Sequence, residues 1–125
     1  MGDKEGALTT FYRDIVMMTP EQIELLRSQP VWPSRVAMAP TIPHELQAEA
    51  GYVADFDPAR LRGLGVPTLI MVGGDSPAGQ KTAAEALEAA LPDGRVVVLP
   101  GQGHIAHRMA PELFAREVVR FLVHG

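Results

Sequence analysis

The chain has 125 residues, 46% of them hydrophobic, with a formal net charge of -4 and no cysteine. That length suits one domain of about 100 to 200 residues, and the lack of cysteine excludes disulfides, thiol catalysis and cysteine-ligated metal. The mild negative charge gives no reason to expect nucleic-acid binding, which needs a clustered basic face. No run of roughly 18 apolar residues is present to cross a membrane. The opening stretch Met1-Gly2-Asp3-Lys4-Glu5-Gly6 has no apolar core of a leader peptide, so a cytoplasmic location is expected.

In chain order, the first half reads as helices. Leu8, Phe11, Tyr12, Ile15 and Val16 recur at helical spacing and predict one apolar stripe. Thr19-Pro20-Glu21-Gln22 predicts a helix start, with Thr19 as N-cap, Pro20 in the first turn and Gln22 completing a capping box. Ile23, Leu25 and Leu26 supply its buried side. Pro30, Pro33, Pro40 and Pro43 divide the next stretch into short helical pieces, because proline lacks the amide hydrogen and clashes with the preceding turn. Pro43 to Ala50 predicts a helix ended by Gly51, and Asp57-Pro58 caps a further helical turn.

From Val66 the pattern changes to strand, helix, strand, helix. Thr68 to Val72 is a continuous apolar run, as expected of a strand covered on both faces. Ala83, Ala84, Leu87, Ala90 and Leu91 make a helical stripe closed by Pro92-Asp93-Gly94. Val96 to Leu99 is the second buried strand, and two strands joined by a helix predict a parallel pair, near 67–73 and 95–99. Pro111 opens the last helix, with Phe114, Val118, Phe121 and Leu122 as its apolar face.

Three segments carry a family likeness. Val66-Pro67-Thr68-Leu69 with Gly73 resembles the penultimate core strand of α/β-hydrolases. Leu99-Pro100-Gly101-Gln102-Gly103-His104 resembles the final strand and histidine loop of that fold, and Pro111-Glu112-Leu113-Phe114 its closing helix. The resemblance implies an α/β fold, a partial α/β-hydrolase in which residues 1–65 form a helical cap-like or lid-like segment and 66–125 the C-terminal β-α-β-α part of the core. It implies hydrolysis of an ester, amide or related bond, with no cofactor and no metal.

His104 is the candidate general base. A histidine beyond a buried strand, after Gly101 and Gly103, sits where open α/β sheets form their sites, and the ordinary histidine pKa near 6.5 suits proton transfer at neutral pH. The alternative is a loop histidine bonded to backbone or water. Asp75 is the candidate acid, although the Gly-x-x-Asp pattern of the family counts from Gly73 to Ser76 instead. Its alternative role is to N-cap the helix that begins near Pro77. Ser28, Ser34 and Ser76 lack the Gly-x-Ser-x-Gly elbow that the family places before this region. His104 and His107 are too few to hold a metal, and His44 and His124 stand in no motif. Trp32, Met17, Met18 and Met38 either line an apolar pocket under a lid or belong to the core.

The missing nucleophile leaves three readings open. The chain is the C-terminal part of a hydrolase, inactive unless joined to its N-terminal portion. Alternatively it is a non-catalytic α/β protein that self-associates and binds an apolar ester-like ligand or a protein partner. In the third reading it is the histidine-bearing component of a split enzyme. A lone pair of parallel strands exposes both sheet edges, so a homo-oligomer is expected. His104 is expected on a loop at the C-terminal end of the sheet, facing the first-half helices.

Overall fold

The computed structural model describes residues 2–54 and 57–125, which fall into two compact units, Met1–Phe56 and Asp57–Gly125. In the first unit every described element is helical. Helix α1 (Lys4–Asp14) starts on Asp3, whose carboxylate accepts the Gly6 N–H at 2.8 Å. The predicted stripe stops short of its expected end. Ile15 is the C-cap, Met17 takes a left-handed φ of 60°, and the Met18 N–H turns back to the Tyr12 carbonyl at 2.9 Å. That reversal leaves Ile15 and Met17 exposed and buries Met18.

Helix α2 (Pro20–Arg27) begins with the predicted capping box. Gln22 N–H donates to the Thr19 hydroxyl, and Thr19 N–H donates to the Gln22 side chain at 3.0 Å. Helix α3 (Trp32–Met38), a 3₁₀ turn (Ala39–Thr41) and helix α4 (Ile42–Ala54) follow. Here the prolines start elements more than they separate them: Pro33 and Pro40 sit in first turns, where no helical amide is lost, and α4 includes Pro43 beside its start. Contrary to expectation α4 also runs through Gly51, since a helical glycine costs only about 1 kcal/mol relative to alanine.

The core of this unit is Leu8, Tyr12, Met18, Leu26, Trp32 and Ala39. The rings of Tyr12 and Trp32 lie 6.3 Å apart. Trp32 needs a partner for its indole N–H and finds Glu5 at 3.2 Å, while Arg27 both pairs with Glu5 and lies over the indole ring. The expected apolar group therefore divides: Trp32 and Met18 are buried, Met17 and Met38 are exposed.

The second unit opens on a 3₁₀ turn (Pro58–Leu61) capped, as expected, by Asp57, which accepts the Ala59 N–H at 2.9 Å. Strand β1 (Thr68–Gly73), helix α5 (Ala78–Ala90), strand β2 (Gly94–Leu99) and helices α6 (Ala106–Met109) and α7 (Pro111–His124) complete it. The strands are parallel, with Thr68 opposite Gly94 and Gly73 opposite Leu99. The fold class is thus α/β. Val72, Ala84, Leu99, Ile105 and Ala106 form the core. On one sheet face Leu69 and Val97 lie beside Phe121 of α7. Phe114, Val118 and Phe121 are half-buried, but Leu122, expected with them, is 74% exposed. Val119, Leu122 and Val123 instead form a second apolar stripe that faces away.

Candidate active site

Both strands end at one edge of the sheet, and glycines let the two chain segments meet there. A Cβ on Gly73 would overlap the carbonyl oxygens of Gln102 and Gly103, so only glycine permits this approach of the two loops. Gly74 N–H donates to the Leu99 carbonyl at 2.8 Å and Asp75 N–H to the Gln102 carbonyl at 2.9 Å. Gly101, at φ 67°, makes the turn that returns Gln102 N–H to Leu99. The loop after β2 is thereby fixed to the end of β1 by backbone bonds alone.

His104 sits on this loop, beyond the C-terminal end of β2, and is exposed. The two residues after it, Ile105 and Ala106, are buried and anchor the start of α6. Asp75 is also exposed, and its backbone is bonded to Gln102, two positions before the histidine. The stitching thus brings the Asp75 and His104 segments to one edge. It does not join their side chains: among the described residues there is no hydrogen bond or ion pair between His104 and Asp75. The cap expected of Asp75 is also absent. Pro77 is the N-cap of α5, with no side-chain hydrogen bond, because the Asp75 backbone is held by the histidine loop and Ser76 N–H closes a turn onto Gly73.

The three serines differ in their surroundings. Ser28 donates its hydroxyl to the Leu25 carbonyl at 2.7 Å at the end of α2, and Ser34 is exposed on α3. Ser76 is buried, and its hydroxyl has no partner among the described residues. The sequence offered one signal for Ser76, its position third after Gly73; nothing in the sequence foretold its burial.

His107 lies on α6 with its ring 6.0 Å from Phe114, edge to face. Among the described residues no group of three or more His, Asp or Glu side chains is close enough to hold a metal ion. A cleft of about 280 Å³ in this unit is lined by Leu69, Arg95, Val97, Glu117, Arg120 and Phe121, along the sheet face under α7 and not at the histidine loop. In the N-terminal unit a groove of about 360 Å³ lies between Phe11 and Ile15 on one side and Ile42 and Leu46 on the other.

A comparison with known protein families finds no match, and neither does one with curated proteins. Among solved structures the chain is similar to an α/β hydrolase from Sphaerobacter thermophilus DSM 20745. Identity is 30% and the TM-score 0.69, over 96% of this chain and 45% of that one. The chain spans less than half the length of the hydrolase it matches, and its fold is part of an α/β-hydrolase fold. No helix among the described residues is long and apolar enough to cross a membrane.

Proposed function

We propose that this chain is the C-terminal, base-bearing portion of a hydrolase for ester, amide or related bonds, inactive without a nucleophile from another portion. The observation that supports this most is the histidine loop, tied by Gly73 and the Asp75–Gln102 bond to the end of the neighbouring strand. On this reading His104 takes the proton of a serine hydroxyl and returns it to the leaving group. Asp75, whose backbone is bonded to Gln102 of the same loop, is the candidate to orient it. On the same reading the helical unit corresponds to a cap-like segment.

Two measurements test the reading. The purified chain is expected to show no esterase activity above background and no labelling of Ser28, Ser34 or Ser76 by a fluorophosphonate probe. Stoichiometric labelling of any of them, located by mass spectrometry, would show that the nucleophile lies within this chain. Grafted in place of the matching segment of the Sphaerobacter thermophilus hydrolase, the chain is expected to support hydrolysis of a p-nitrophenyl ester. His104→Ala in that chimera should then lower kcat by about 10²- to 10⁴-fold, the span of general-base contributions. A folded, active chimera indifferent to His104→Ala would remove the histidine from the mechanism.

A further inference from the structure

A second pocket of the N-terminal unit has charges of both signs in its wall. It measures about 190 Å³, and Tyr12 of α1, Arg35 of α3, Thr41 of the 3₁₀ turn and Glu45 of α4 line it beside the apolar Leu8 and Phe11. Arg35 Nη1 donates to the Tyr12 hydroxyl at 2.9 Å, and Arg35 Nε is buried with no partner. Tyr12 is only 8% exposed. Its hydroxyl accepts the arginine bond and, among the described residues, donates its own proton to nothing. The exposed Glu45 carboxylate accepts the Thr41 hydroxyl at 2.6 Å. Arg35 and Glu45 thus line one pocket, yet among the described residues neither forms an ion pair. Opposite charges in so small a space ordinarily pair with each other, because a half-buried charge without a partner is costly. Here a neutral hydroxyl engages each of them instead.

We propose that this pocket binds a small zwitterion, an α-amino acid with an apolar side chain. The ligand carboxylate takes the Arg35 guanidinium and the unused proton of Tyr12, two donors already held together by their own hydrogen bond. The ammonium lies against Glu45, and the side chain against Leu8 and Phe11. The mixed wall is what selects the class. A simple anion would meet the Glu45 charge and a simple amine the Arg35 charge, whereas a solute with both signs meets its complement twice. Size agrees: pockets for drug-sized ligands run to about 300–1,000 Å³, so 190 Å³ suits one small solute. Every residue of the wall belongs to the N-terminal unit, so no residue of the strands or the histidine loop is needed to build it. The inference goes beyond the hydrolytic reading and stands without it.

Titration of the full chain with L-leucine tests it. Trp32 is the chain's one tryptophan, and its ring lies 6.3 Å from that of Tyr12, so its fluorescence reports on the pocket. A saturable change at millimolar leucine is expected. N-acetylleucine lacks the ammonium and leucinamide lacks the carboxylate. Each should bind at least about tenfold more weakly than leucine, the loss of one charge-assisted contact. Tyr12→Phe keeps the ring and should weaken leucine and N-acetylleucine alike. Because Tyr12 and Arg35 also tie α1 to α3, either change can disturb the fold, and Glu45→Gln is the companion variant. Its amide oxygen can still accept the Thr41 hydroxyl, but it should weaken leucine at least about tenfold and spare N-acetylleucine. No saturable change, by fluorescence or in an amide NMR spectrum, would overturn the inference. So would N-acetylleucine or leucinamide binding as well as leucine, or a leucine affinity that Glu45→Gln leaves intact.

Discussion

Gly73 is the residue on which the candidate site depends most directly. Its missing Cβ is what allows the carbonyls of Gln102 and Gly103 to come against the end of β1, and those carbonyls belong to the loop that carries His104. The obstructing atoms are backbone, so a side chain there cannot be accommodated by a rotamer change. Gly73→Ala is expected to destabilise the C-terminal unit by about 1–3 kcal/mol, the usual cost of overpacking, and to shift the amide resonances of Gln102 to His104. Denaturant unfolding followed by circular dichroism, with an NMR spectrum of the variant, checks both; Trp32 fluorescence would not serve, because that residue lies in the other unit. An unchanged midpoint would mean that the two loops can separate at no cost. At this scale the sequence was informative where the interaction is local or the position is set by a strand end. The place of His104 on a loop beyond β2 was legible because the histidine follows two glycines after an apolar run. The loss of Asp75 as a cap was not, because it arises from bonds to a loop some 27 positions further on, Asp75 to Gln102, as tertiary contacts override local preference.

Elements were legible in the same measure. Apolar runs located β1 and β2 to within a residue, but β2, expected to be buried throughout, leaves Val98 53% exposed at its outer edge. The start of α2 was legible because every part of a capping box lies within four residues. That box also bears on charge. The Glu21 carboxyl is held below its usual range by its own backbone N–H and then by the Thr19 hydroxyl. A carboxylate with a lowered folded pKa adds stability above its unfolded value and loses it as pH falls through the folded one. Thr19→Ala should cost about 1 kcal/mol through the lost helix cap and let Glu21 titrate closer to its ordinary range. Thermal unfolding at neutral pH and a carboxyl NMR titration measure the two effects, and a variant with neither would show that the cap does not hold α2. Helix ends were less legible. The stop after Asp14 rests on a left-handed Met17, a conformation that no sequence pattern marks, and α4 passes through a glycine that reads as a terminator. Helix α7 is apolar on two sides, and its spacing alone did not reveal which stripe packs on the sheet.

Across the whole molecule, the balance of buried and exposed apolar side chains is the unusual quantity. In the C-terminal unit the buried core among the described residues is Val72, Ala84, Leu99, Ile105 and Ala106, two of them alanines, while Val66, Val98, Val119, Leu122 and Val123 are all more than half exposed. The chain matches 45% of the length of an α/β hydrolase. No composition count could have shown this balance, because the same residues read as core whether or not a partner is present. Small cores are marginal: burial scales with size, and short domains are left with little net stability. If self-association covers these side chains, folding and association are linked, and apparent stability must rise with protein concentration by mass action. The midpoint of thermal unfolding is therefore expected to climb by several degrees over a roughly hundredfold rise in concentration, and to climb less in Leu122→Glu. Differential scanning calorimetry across that range gives the answer. A midpoint independent of concentration in the wild-type chain would mean that each unit is stable on its own core, and that the exposed apolar side chains add nothing to folding.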